Sequence, residues 1–133
     1  FVGVGYGHVD GGSVGENVKD TEYYAANVNY AAGPVTVGFQ RNKITKASKD
    51  VETDMMSIAF NVNDNLAISY ADNEVNHLNT GSTGDVSEDV EGIGFSYTMG
   101  GMTLAGQSNS SDDANGVAGA KDDHTELRLS FAF

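Results

Sequence analysis

The segment EGIGFSYTMGGMTLAGQ, residues 91–107, decides the fold of this chain. Apolar side chains occupy every second position on both sides of a Met-Gly-Gly turn, and small or polar side chains fill the positions between them. Alternation with period two is typical of a β-strand with two different faces, and a Gly-Gly pair permits a tight hairpin. The segment therefore predicts two antiparallel strands, at 90–99 and 102–109.

The same alternation extends in both directions and predicts eight strands, with no convincing helical periodicity between them. Short and long connections alternate along the chain, which is typical of an up-and-down barrel. The expected strands are 1–9, 22–32, 35–42, 54–63, 65–72, 90–99, 102–109 and 123–133. The expected tight turns lie at 33–34, 63–65 and 99–101, and the long connections at 10–21, 43–53, 73–89 and 110–122.

The composition excludes several classes of function. The 133 residues suit a single domain, 1–133, and the net charge of −12 argues against a nucleic-acid partner, because phosphates need a basic surface. The chain has no cysteine, so disulfides and thiolate metal sites are excluded. His8, His77 and His124 lack metal-ligand spacing, and no strained nucleophile turn is present. We therefore expect no enzyme and no cofactor.

Periodicity alone does not say which face of each strand points inward. A soluble β-sandwich would bury the apolar phase, whereas an outer-membrane barrel would turn it toward lipid. The apolar phase is uninterrupted on all eight predicted strands, although sandwich edge strands usually carry a protective charge or bulge. We therefore expect an all-β, antiparallel up-and-down transmembrane β-barrel, with the small and polar phase facing its lumen.

The acidic residues concentrate at the long connections. All of them except Asp64 and Glu126 lie in or flank those four segments. If the long connections share one side of the barrel, they form an acidic extracellular rim, which predicts a weak preference for cations. We expect no cofactor, with one exception that stays open: calcium could bind loosely among these acidic loops.

The lumen-facing phase suggests a wide passage. Its side chains are mostly small, and their total volume is too low to fill a narrow eight-stranded barrel, so we expect 1–133 to be the C-terminal part of a larger barrel. The polar candidates for lining a pore are Asn27, Asn29, Thr36, Gln40, Ser57, Asn61, Ser69, Ser96, Thr98, Thr103, Gln107, Glu126, Arg128 and Ser130.

Three segments carry a resemblance to a known family. EGIGFSYTMGGMTLAGQSNSSDD, VNYAAGPVTVGFQ and the closing TELRLSFAF resemble the general porins of alphaproteobacteria, the Rhodobacter-type family. The resemblance covers the strand pattern of the whole chain and implies a sixteen-stranded barrel that forms a homotrimer in the outer membrane of Gram-negative bacteria. It also implies passive diffusion of small hydrophilic solutes and ions.

The resemblance assigns further roles to residues of this chain. The alternating apolar residues Leu127, Leu129, Phe131 and Phe133 match the signal that the barrel-assembly machinery reads in this family. Outer-membrane lipid and lipopolysaccharide are the implied surroundings, with long loops extracellular and the C-terminus periplasmic. Family members carry a basic cluster on the pore wall, and the one basic cluster of this chain is Arg41, Lys43, Lys46 and Lys49, as pore or rim residues.

Two alternatives stay open from the sequence. The chain could form a complete eight-stranded outer-membrane barrel with a structural or adhesive role, although the small lumen-facing residues argue against it. It could also be a secreted soluble β-protein, such as a calcium-dependent adhesin. The mass of the native polypeptide distinguishes the small barrel from the porin. Solubility without detergent distinguishes the secreted β-protein from both barrels.

Overall fold

A computed structural model describes residues 1–9, 21–45, 49–79 and 84–132. Within these ranges the chain forms eight strands and a short 3₁₀ turn, here η1. The strands are β1 Val2–Val9, β2 Thr21–Ala32, β3 Val35–Thr45, β4 Lys49–Asn61, β5 Leu66–Asn79, β6 Val86–Met99, β7 Met102–Asp112 and β8 Lys121–Phe131. η1 spans Ala114–Gly116, between β7 and β8.

The eight strands form one antiparallel sheet in which each strand pairs with its neighbours in sequence. This is the up-and-down order that the alternating connections predict, and it is confirmed. Within the described ranges β1 pairs only with β2 and β8 pairs only with β7, so the sheet has two open edges. No helix in the described part of the chain is long and apolar enough to cross a membrane.

The three tight turns lie where the sequence predicts them. Gly33 and Gly100 adopt φ of 57° and 59°, the left-handed region that glycine enters without a steric penalty. The third turn is stabilised by a side chain, because Asn63 Oδ1 accepts hydrogen bonds from the backbone N–H groups of Asn65 and Leu66, at 2.9 and 3.0 Å. These local interactions reverse the chain at one end of the sheet, which we call the tight-turn end.

The strands run farther than predicted at the opposite end, where β3, β5 and β7 finish; we call this the far end of the sheet. Segments 43–53 and 73–89 were expected to be connections, but β3 continues to Thr45, β4 begins at Lys49, β5 continues to Asn79 and β6 begins at Val86. The prediction was wrong because the apolar phase stops while the period of two continues. Charged residues replace apolar ones in the same phase, and the backbone pairing persists.

The sheet is a single layer without a packed core. Among the described residues Ala114 alone is a buried hydrophobic residue, with 7% of its surface exposed. Large apolar side chains are exposed on seven of the eight described strands, all except β7; Val37 is 41% exposed and Leu127 is 69% exposed. Within the described ranges no second sheet faces the first, so the two-layer core that a β-sandwich requires is absent from them.

Candidate functional site

The register assigns every strand residue to one of two faces, because directly opposed residues of antiparallel strands point to the same side. One face carries Val37, Phe95 and Leu129, and we call it the apolar face. The other carries Ser69 and Ser96, and we call it the small-residue face. These two surfaces correspond to the two phases that the sequence separates.

All fourteen candidate pore-lining residues lie together on the small-residue face. They are Asn27, Asn29, Thr36, Gln40, Ser57, Asn61, Ser69, Ser96, Thr98, Thr103, Gln107, Glu126, Arg128 and Ser130.

Hydrogen bonds between neighbouring strands hold part of this polar surface in place. Thr98 Oγ1 lies 3.1 Å from Thr103 Oγ1, and Ser130 Oγ donates to the carbonyl oxygen of Thr103 at 3.4 Å. Near β3, Gln40 Nε2 donates to Asn42 Oδ1 at 3.2 Å. The side chains thus bond along the wall and leave the space above it open.

The basic cluster does not act as one group on the small-residue face. Arg41 and Lys43 lie within β3 on the apolar face, in line with Phe39. Arg41 Nε donates to Asp54 Oδ1 at 2.6 Å, and Lys43 Nζ donates to Glu52 Oε1 at 2.7 Å. Their placement outside a loop corrects the expectation that 43–53 is a connection.

The ion pair with Arg41 also changes the acidity of Asp54. The hydrogen bond from Arg41 holds the pKa of the Asp54 carboxyl below its usual range. Each cation on β3 therefore has an acidic partner directly opposite on β4, and the pairs replace apolar contacts where the apolar phase ends.

Of the other cluster members, Lys46 lies outside the described residues, and Lys49 is described only as the first residue of β4.

The closing segment presents its apolar residues on the apolar face. Leu127, Leu129 and Phe131 are 69%, 53% and 59% exposed, so none of them packs into a core. Phe133 lies outside the described residues. The alternation that resembles an assembly signal is therefore accessible in the folded sheet as far as Phe131.

The far end of the small-residue face holds a group that the sequence reading missed. Glu88 on β6 accepts a hydrogen bond from Ser111 Oγ at 2.8 Å and another from the backbone N–H of Asn115 in η1. His77 Nε2 lies 3.4 Å from Glu88 Oε2, and the His77 ring packs against Gly116. This Glu88 cluster fastens the β7–β8 connection onto β5 and β6.

The Glu88 cluster is partly withdrawn from solvent. The side chains of His77 and Glu88 are 13% and 16% exposed, and η1 contributes the buried Ala114. Burial raises the pKa of Glu88, but the hydrogen bonds from Ser111, Asn115 and His77 outweigh it, so the pKa is lower than usual. His77 Nδ1 is buried and has no hydrogen-bond partner among the described residues.

A signal for this cluster exists in the sequence. At the far end the two faces exchange character, because the small-residue face carries Ile44, Val51, Val75 and Val90 there. Glu88 is an acidic residue in this apolar phase, and a lone charge among apolar neighbours needs hydrogen-bonding partners. The residues that bond to Glu88 lie at and after the end of β7, and the period of two does not predict where that part of the chain folds.

The described residues include no group of three or more histidine, cysteine or acidic side chains arranged to hold a metal ion. Loosely bound calcium at the acidic connections therefore stays a prediction.

Comparison with known proteins adds no family assignment: no protein-family model matches the chain, and no curated protein matches it significantly.

Proposed function

We propose that this chain forms part of an outer-membrane β-barrel of the porin type, and that its small-residue face lines a water-filled channel for passive diffusion of small hydrophilic solutes and ions. The observation that carries the proposal is a single-layer sheet with an exposed apolar face and an opposite face of small polar residues. No chemical step is involved, because solutes would pass by diffusion.

The apolar face needs an apolar environment. Soluble monomers rarely leave large contiguous apolar patches in water, and here seven of the eight described strands carry exposed large apolar side chains. Lipid satisfies such a face, whereas the backbone groups stay paired within the sheet. The proposal therefore places lipid acyl chains against residues such as Ile58, Phe95 and Leu129.

Aromatic residues border the apolar band on both sides, which supports the same orientation. Tyr24 and Tyr70 lie where the apolar phase gives way to charges, and Tyr30, Phe60 and Tyr97 lie near the tight turns. Transmembrane barrels carry aromatic girdles at the two membrane interfaces, because these rings have an apolar body and a polar edge.

Charged residues continue the apolar face beyond this border, where lipid headgroups would lie. Asp72 is directly opposite Glu91, and Glu74 is directly opposite Asp89. Such like-charged neighbours repel one another, and divalent cations shared with the phosphates of lipopolysaccharide would reduce the repulsion. This arrangement supports an outer-membrane location with the far end on the extracellular side.

More strands than these eight would complete the channel. The open edges of β1 and β8 expose unpaired backbone groups, which a membrane barrel does not tolerate. Eight strands with these small inward side chains would enclose an underpacked lumen, whereas a wider barrel of about sixteen strands, as the resemblance implies, would hold water. A homotrimer and insertion by the barrel-assembly machinery belong to the same proposal.

Adjacent residues on opposite faces provide a direct test. The chain has no cysteine, so Ser69→Cys and Ile68→Cys each introduce a single thiol, one on each face. In planar bilayers, a charged, membrane-impermeant thiol reagent should change the single-channel current of the Ser69 variant and leave its matched control, the Ile68 variant, unchanged. The reverse pattern would refute the orientation, and absence of conductance would refute the channel.

The complete eight-stranded barrel is the second candidate, because the described strands already form a continuous sheet in barrel order. It requires β1 to pair with β8, and a native polypeptide of about the 13.9 kDa of this chain. Intact mass of the protein isolated from outer membranes separates the two, since a barrel of twice the strand number needs roughly twice the mass.

A further inference from the structure

The charges of this chain are divided unequally between the two faces of the sheet. Most acidic side chains of the strands lie on the apolar face or its charged continuation, and therefore point away from the proposed passage. They are Glu22, Asp50, Glu52, Asp54, Asp72, Glu74, Asp89, Glu91, Asp112 and Asp123. Three of the strand cations, Arg41, Lys43 and Lys121, lie on that side too.

The small-residue face carries few charges, and they converge on one strand. Glu88 is held under η1 by its hydrogen bonds and is only 16% exposed. The other described acidic or basic strand side chains on this face are His77, which lies beside Glu88 on β5, and Asp122, Glu126 and Arg128 on β8, with His124 between the two acids. Across β2–β7 the spanning part of this face is built from small, neutral residues such as Ser69.

Spacing along β8 brings Glu126 and Arg128 within reach of the same ion. Residues two apart on a strand are separated by about 7 Å, which is below the screening length of about 8 Å at physiological ionic strength. The Glu126 side chain is 53% exposed and lies beside His124, with Oε2 3.9 Å from His124 Nε2. An ion passing along β8 therefore encounters two carboxylates and then the guanidinium of Arg128.

We propose that β8 is the strand of this chain that determines which ions the channel prefers, with Glu126 favouring cations and Arg128 favouring anions. The inference depends on the proposed channel, and it moves the origin of ion preference from the acidic rim to the passage wall. On the small-residue face, the two carboxylates and one guanidinium of β8 leave one excess negative charge, which produces a weak preference for cations.

The size of the effect follows from screened electrostatics. A unit charge about one screening length from a monovalent ion in water changes the cation-to-anion permeability ratio by about twofold. Glu126→Gln should lower that ratio by about twofold, and Arg128→Gln should raise it by about the same factor. Opposite shifts exclude a general loss of structure as their cause, because misfolding would not change the sign of the preference.

Reversal potentials in a salt gradient across planar bilayers measure the ratio for the full protein. Glu74→Gln is the matched control, since it removes the same charge from the far side of the sheet and should leave the reversal potential unchanged. Channels whose ratio responds to Glu74→Gln but to neither β8 variant would overturn the inference and leave the channel intact. A protein that forms no channel would overturn the proposed function together with this inference.

Discussion

Replacing Glu88 by Gln should loosen the β7–β8 connection without disrupting the sheet. The carboxylate accepts hydrogen bonds from Ser111 and from the backbone of Asn115, and these are the contacts that hold η1 against β5 and β6. Glutamine keeps the shape of the side chain and one acceptor oxygen but removes the charge. The change therefore isolates the electrostatic part of the docking.

The magnitude follows from the two hydrogen bonds. A bond to a charged group contributes about 1.5–3 kcal/mol and a neutral one about 0.5–1.5 kcal/mol, so each loses about 1 kcal/mol. The expected loss is about 2 kcal/mol in the free energy of local opening, which corresponds to about thirtyfold faster hydrogen exchange. Exchange of the Gly116 and Val117 amides measures it, since both donate within this turn, at 3.0 and 3.2 Å.

Glu74→Gln serves as the matched control, because Glu74 lies on the opposite face and contacts only the Asn76 side chain among the hydrogen bonds described. It should leave exchange at Gly116 unchanged. Unaltered exchange in the Glu88 variant, or equal acceleration in both variants, would refute the conclusion that the Glu88 carboxylate holds the connection in place.

Three further outcomes follow from the structure. The lowered pKa of Glu88 stabilises the docked connection above the ordinary value of 4.5, and this stabilisation is lost as pH falls through the lower folded value. The protection of the η1 amides, measured as exchange relative to the intrinsic rate at each pH, should therefore fall in acid in the wild type but not in Glu88→Gln. Gly100 has a φ of 59°, so Gly100→Ala should lower the free energy of unfolding in urea by about 1–2 kcal/mol. In the control Gly84→Ala, the added Cβ also meets open space but φ is ordinary, so the free energy of unfolding should change little. Equal losses in the two variants would contradict this reasoning. Leu129→Lys should make the free energy of assembly into lipid vesicles less favourable by about 2–4 kcal/mol, because Leu129 lies on the apolar face. The neighbouring variant Ser130→Lys, on the small-residue face, should assemble normally. The opposite ranking would contradict the assignment of faces.

Strand content and face assignment were predictable because they depend on near neighbours in the sequence. Apolar residues alternate with small or polar ones around Phe95 and Leu104, which indicates a β-strand whose successive side chains point to opposite faces. Gly100 adopts the left-handed conformation that the turn between these two strands requires. The same local information placed all fourteen candidate lining residues on one face.

The far end of the sheet was not predictable in the same way. The predicted third strand ends at residue 42, beyond the last apolar residue of its phase, although the backbone ladder continues to Thr45. Arg41 is accommodated because pairing brings Asp54 directly opposite it, and that partner is thirteen residues away in sequence. Ion pairs between strands depend on register, which local periodicity leaves undetermined.

By itself the sequence determined that this chain has eight two-faced strands and three tight turns, because side-chain alternation and glycine geometry act within a few residues. The tertiary structure alone decided that Glu88 holds Ser111 and Asn115, and that Arg41 lies directly opposite Asp54. Those outcomes depend on hydrogen-bonded register and on a folded-back connection, which join residues as far as 27 positions apart, as Glu88 and Asn115 are.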